Sequence, residues 1–196
     1  PGVNGYDPKL DVRPQPNPAE ARKLLAAAGY PNGFRMGMDC PNDRYVMDAQ
    51  ICTAIVSMLA KVGVKVDLNA QTKAKFFAKT GAPNYDTDFY LLGWTPSTYD
   101  AHNALFSLVG TRNGVRGNNN NGDYSNPKMD ALIDQIGSQV DEAKRYQEID
   151  DAARLLQHDV GYIPLHQQVI VWAAKNNVSV VQTADNNFQY RFIKVK

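Results

Sequence analysis

The sequence predicts an α/β fold, a mixed sheet flanked by helices, and three observations carry that prediction. Apolar residues alternate at period two in two short runs, Phe34, Met36, Met38 and then Val64, Val66, Leu68. Between them Ile51, Ile55, Met58, Leu59 and Val62 recur at helical spacing up to Gly63. Strand, helix and strand with short connections are the pattern of a right-handed parallel crossover. A third run, YDTDFYLLGW, has the apolar end expected of a central strand covered on both faces.

Each element follows from local signals. In NPAEARKLLAAAGYPNGF a helix over 18–28 is set by Asn17 as N-cap, Pro18 in the first turn, Glu20 as capping-box partner and Gly29 beyond the last turn. The crossover comes next, then a second helical stretch, TKAKFFAKTG, and the third strand. Residues 110–126, GTRNGVRGNNNNGDYSN, are so poor in apolar side chains that they read as a long exposed loop, the four asparagines serving as flexible linker. Asn126 and Pro127 start a helix with Met129, Leu132, Ile133 and Ile136 on one face. Asp141 starts a longer one with Tyr146, Ile149, Ala153, Leu156 and Val160 in register, and Gly161 closes what reads as a helical hairpin. YIPLH followed by VIVWAA reads as one or two strands returning to the sheet, and FQYRFIKVK as one more, at an edge because of its lysines.

Charge and composition argue against several functions. Lys and Arg total 21 against 20 acidic residues with no run of like sign, which is not the footprint of a nucleic-acid or polybasic membrane surface. No run approaches the roughly 20 apolar residues that span a bilayer. The opening PGVNGYDPKL has neither the charged nor the apolar region of a signal peptide, so localisation must be sought elsewhere. With Cys52 placed some way into the helix after Cys40, the rise of about 1.5 Å per residue separates the two beyond disulfide reach, which predicts two buried free thiols. His102, His158 and His166 lie in no metal-binding spacing, and no cofactor fingerprint, phosphate loop or nucleophile elbow occurs. The expectation is therefore no metal, no cofactor and no enzyme, with a small hydrolase or transferase using Asp86, Asp88 or Asp100 as the alternative from another class.

Taken in order, NPAEARKLLAAAGYPNGF, MLAKVGVKVDL, YDTDFYLLGW, YSNPKMDALIDQI and YQEIDDAARLLQHDVGYIPLH resemble the solute-binding proteins, family 5, that feed dipeptide and oligopeptide ABC importers. The resemblance covers almost the whole chain. It implies a periplasmic-binding-protein-like lobe, with residues 1–196 the carboxyl-terminal lobe of a bilobal protein and 1–16 and 176–196 its crossing segments or edge strands. The implied function is extracytoplasmic capture of a peptide-type solute, in the periplasm or tethered outside the cell. The implied partners are the solute, an amino-terminal lobe and an ABC permease, the protein itself being a monomer.

The candidate site follows from two arguments that agree. Ligands of open α/β sheets bind at the carboxyl ends of strands, which puts the loops 40–45, 70–73 and 94–103 on one rim. The resemblance implies that the loop carrying the Gly-Trp motif lines the cleft between lobes. The candidates are Trp94, Ser97, Tyr99, Asp100 and Asn103 from that loop, with Arg44 and Tyr45 from the first. Trp94 has the alternative of a core plug. Arg44 and Tyr45 precede a helix whose amino terminus can receive an anion, or are solvated first-turn residues. In peptide-binding relatives an aspartate follows this tryptophan by three positions and pairs with the ligand's ammonium, but here the position is Ser97. Either another acid substitutes, Asp100 being nearest, or the solute is a sugar, opine or metal chelate rather than a free-amine peptide. Asp100 also reads as the N-cap of a helix over 101–109 with Asn103 at its third position. Tyr124, His166 and Trp172 read as packing residues.

Overall fold

The computed structural model describes residues 2–12, 14–183 and 186–196. Its first half is built on two parallel strands, β1 (Arg35–Pro41) and β2 (Lys65–Gln71), paired from Arg35 opposite Lys65 to Pro41 opposite Gln71. Helix α1 (Pro18–Ala27) precedes them, α2 (Asp48–Ala60) makes the crossover, and α3 (Lys73–Thr80) follows. Side chains alternate along a strand, so Met38 and Cys40 join Val66 and Leu68 beneath Ile51, Cys52, Ile55 and Val56 of α2. Met58, expected on that face, points to water. The other face carries Asp39, almost fully buried, which accepts from Lys79 Nζ at 2.8 and 2.9 Å and from Asn69 Nδ2 at 2.8 Å. A buried carboxylate needs such partners, and they pin α3 to the sheet.

The third strand contracts to a single bridge. Asp39 N donates to Phe89 O at 2.8 Å and Leu91 N donates to Asp39 O at 3.1 Å, setting Tyr90 parallel to Asp39. One step earlier the Asp88 carboxylate, not a backbone carbonyl, takes the amide of Gly37 at 3.0 Å, and the ladder stops there.

In the second half α4 (Ala101–Ala104) runs into a π-helical turn, Leu105–Val109, and α5 (Pro127–Ser138) and α6 (Glu142–Asp159) form the expected hairpin. Leu105, Val109, Met129, Ile133, Ile136, Ile149 and Ala152 make its core. Asn17, Asn126 and Asp141 cap their helices by accepting from the amides of Glu20, Lys128 and Lys144. The two halves are joined where Tyr90 Oη donates to Tyr162 Oη at 2.9 Å, which donates to Leu108 O at the same distance.

Four expectations are corrected. Cys40 and Cys52 are not free thiols but a disulfide, with Cα atoms 6.5 Å apart. Helix α2 starts only at Asp48, so Cys52 is its fifth residue and stays beside the strand end. The 110–126 stretch lacks helix and strand, yet it is no exposed linker, because Asn120 is fully buried and Asn121 nearly so. Asn120 Nδ2 donates to Gly110 O at 3.0 Å and Tyr124 O at 2.7 Å, while its Oδ1 accepts from Tyr124 N at 3.1 Å. Arg116, only 15% exposed, is tied to Asp134 at 2.7 Å and Asp130 at 3.3 Å. YIPLH and VIVWAA form no strand and join no sheet; Val169 and Val171 are exposed, while Ile170 and Trp172 between them are half-buried, Trp172 against Phe188. The last expected strand shrinks to β4 (Lys194–Val195), paired antiparallel with β3 (Val178–Ser179) rather than with β1 or β2.

Candidate functional site

The three loops of the expected rim do meet. Asn42 N donates to Gln71 O at 2.9 Å and Lys73 N donates to Asp43 Oδ1 at 2.6 Å, which fastens 42–43 to 71–73. Tyr45 then reaches the Gly-Trp loop, where a Cβ built on Gly93 would lie 2.7 Å from its ring. A side chain at position 93 would push the ring aside. The Arg44 guanidinium lies over the same ring, 4.9 Å from its centre, and makes no ion pair among the described residues.

The amides at the amino terminus of the helix behind Arg44 and Tyr45 are bonded by the chain's own carboxylate. Asp48, nearly buried, accepts from the amides of Arg44 at 2.9 Å, Tyr45 at 3.0 Å and Ala49 at 2.9 Å. Burial pulls this carboxyl's pKa up, but the amides outweigh it and leave it below the usual value. The protein's own carboxylate takes that place, so any attraction for an anion comes from the Arg44 side chain.

Trp94 is 38% exposed and is no core plug. Its Nε1 donates to Asn103 Oδ1 at 2.9 Å, which fixes the indole against the first turn of α4 and leaves the Asn103 amide nitrogen as a donor. Ser97 and Tyr99 are exposed, Tyr99 with a left-handed backbone at φ 55°. Thr98, Asp100, His102, Asn103, Phe106 and Arg145 line a shallow hollow of about 350 Å³.

Asp100 is occupied. Its carboxylate caps α4 by accepting from His102 N at 2.9 Å, pairs with both terminal nitrogens of Arg145 at 2.8 Å, and accepts from Asn4 Nδ2 at 2.9 Å. Burial raises its pKa, and Arg145, Asn4 and the His102 amide more than offset that and hold it at about 2. Arg145 also donates from Nε to Ile136 O at 3.2 Å, so the pair locks α6 to α4 and α5. Sequence reasoning missed Arg145 and Asn4, whose partner lies 45 and 96 residues away with no local signal between them.

The remaining candidates separate. Asp88 is committed to Gly37, away from the Arg145 pair that holds Asp100, so the two acids do different work. Tyr124 donates to Asp159 at 2.6 Å and Trp172 stacks on Phe188 at 4.5 Å, both packing roles as expected, whereas His166, expected to pack with them, is exposed. Among the described residues no group of acids, histidines and cysteines could hold a metal ion, and no helix is long and apolar enough to cross a membrane.

Residues 1–115 match the family described as bacterial extracellular solute-binding proteins, family 5 middle. The chain is 29% identical over 174 residues to the glutathione-binding protein GsiB of Pectobacterium atrosepticum, covering 87% of this chain and 34% of that protein. Among solved structures it resembles HbpA2 of Haemophilus parasuis, with a TM-score of 0.75 and 26% identity over 99% of this chain and 38% of the other. It also resembles AgaA of A. tumefacien R10 in complex with agropinic acid, with a TM-score of 0.70 and 29% identity over 82% of this chain and 32% of the other. The chain thus spans about a third of the length of the relatives it matches. With these matches covering both the strand-helix half and the rim, the chain belongs to the family 5 bacterial extracellular solute-binding proteins and has the fold of a periplasmic-binding-protein lobe.

Proposed function

We propose that this chain supplies one wall of the cleft between two lobes, in a protein that captures a solute outside the cytoplasm and delivers it to an ABC permease. The observation that carries the reading is the convergence of Arg44, Tyr45, Trp94 and Asn103 on one rim at the carboxyl ends of β1 and of the Tyr90 bridge. The disulfide supports an oxidising compartment, such as the periplasm or the outer cell surface. The chemistry of the wall is binding rather than turnover, since Asp88 and Asp100 are engaged with separate partners. Assay of a hydrolase and transferase substrate panel, with no turnover expected, checks this.

The ligand is read as a peptide-type solute with an anionic group toward Arg44 and without a free α-ammonium at Ser97. Asp100 does not substitute for the missing aspartate, because a ligand ammonium there would have to displace Arg145. A second reading, an opine-like non-peptide solute, is favoured by the same Ser97 and by the similarity to AgaA, which was solved with agropinic acid.

In the two-lobed protein, Ser97→Asp places an unpaired carboxylate in the closed cleft. It is expected to weaken binding of such a solute by about 1 to 3 kcal/mol and to improve affinity for an unmodified dipeptide. Calorimetric titration with glutathione, agropinic acid and a dipeptide makes the measurement. Tight dipeptide binding by the wild type, unmoved by Ser97→Asp, overturns the reading of this subsite.

A further inference from the structure

We propose that the Cys40–Cys52 disulfide is the clamp that holds the 42–47 loop, and with it Arg44 and Tyr45, in position on the rim. The bridge crosses the base of that loop, joining the end of β1 to the second turn of α2. It makes Cys40 and Cys52 positioning residues, acting through the loop rather than touching ligand, and it rests on the reading of the rim as a ligand wall.

Several features of the loop call for such a clamp. Met47, the residue before α2, sits in the left-handed region at φ 57° and offers no side-chain cap to the helix. Of α2 only Asp48 and Cys52 are fully buried, Ile51, Ile55 and Val56 are half-buried over the sheet and Thr53, Ser57 and Met58 face water, so Cys52 is the apolar anchor of the helix nearest the loop with no exposure to water. Arg44, Val46 and Met47 are exposed, and Tyr45 is half-buried. The amides of Arg44 and Tyr45 are bonded to Asp48, so the loop moves with the first turn of α2. Wherever that turn goes, Tyr45 goes too, and its ring lies against Gly93 next to Trp94. Fixing the distance from Cys40 to Cys52 therefore fixes the indole's surroundings across the rim. Both sulfurs are fully buried, which also keeps thiol reductants away from the bridge in the folded chain.

The test compares the 196-residue chain with Cys40→Ala/Cys52→Ala and with Cys40→Val/Cys52→Ala, the second refilling part of the sulfur volume. All three are read by residue-resolved amide hydrogen exchange and, in a Trp172→Phe background, by acrylamide quenching of Trp94. With cooperative melting retained, exchange at Arg44 and Tyr45 is expected to quicken by about tenfold or more relative to amides in the middle of β1, and quenching of Trp94 to rise. Uniform quickening across β1, α2 and the loop, or loss of cooperative melting in both variants, assigns the bridge to global stability and overturns the proposal. So does a loop exchanging at the wild-type rate. None of these readouts uses a solute, so a failure of the clamp is distinct from a failure of the ligand-wall reading, which the Ser97→Asp titration tests.

Discussion

Asp100→Ala is expected to destabilise the protein by about 3 kcal/mol, because the change removes one partner of a largely buried ion pair and a helix cap together. The Arg145 guanidinium, with 22% of its side chain exposed, would keep its bond to Ile136 O but lose both bonds to the carboxylate. His102 N and Asn4 Nδ2 would lose their acceptor as well. For a chain of this length the melting temperature should fall on the order of 10 °C. Asp100→Asn, which keeps an acceptor for the cap, should fall less, and Asp100→Ala/Arg145→Met should be less damaging than the sum of the single changes. The pair also sets an acid limit. The folded carboxyl has its pKa at about 2 against an ordinary 3.8, so its contribution is complete above 3.8 and is lost as the pH falls through 2. Thermal melts of wild type and Asp100→Asn between pH 2 and pH 6 should converge toward the acid end. Curves that stay parallel across that range would show that the pair does not carry this linkage.

Asn120→Ala should cost about as much, roughly 3 kcal/mol, through unsatisfied backbone groups. The asparagine is fully buried and serves two carbonyls and one amide, those of Gly110 and Tyr124. Its removal leaves these groups unpaired in a site too closed for free hydration. Asn120→Asp keeps the acceptor for Tyr124 N but turns a carboxylate toward two carbonyl oxygens, and should be no milder. Asn118→Ala, in the same run but exposed, should stay within about 0.5 kcal/mol of wild type in urea denaturation. Equal, small effects at 118 and 120 would return the asparagine run to the linker role its composition suggests.

The contrast between these asparagines marks where sequence reasoning succeeds and fails in this chain. Helix starts were legible because capping is local: Asn17, Asp100, Asn126 and Asp141 each bond an amide two or three residues on. The β1-α2-β2 crossover was legible from its change of period, and the rim followed from where strands end. What failed was non-local. Composition treats Asn118 and Asn120 alike, whereas burial depends on which one the chain turns inward. The disulfide was missed because its reach depended on where α2 begins, and the 42–47 loop delays that start to Asp48. The alternating valines of VIVWAA announced a strand, but a strand needs a backbone ladder, and among the described residues 169–174 pair with no strand, Ile170 O accepting instead from the Gln182 side chain at 3.1 Å.

Those valines give the chain a distinct solution behaviour. Val169 is 78% exposed and Val171 83%, with Ile163 and Leu165 upstream also open to water, all on backbone that no ladder holds. An exposed apolar ribbon outside any sheet adheres to copies of itself, and a formal net charge of only +1 gives little repulsion to oppose it. Purified alone, the chain should therefore scatter light increasingly as it is concentrated and sediment with a rising mean mass. Val169→Lys/Val171→Lys should restore monodispersity while leaving the melting temperature unmoved, and colloidal behaviour unchanged by that pair would place the adhesive surface elsewhere.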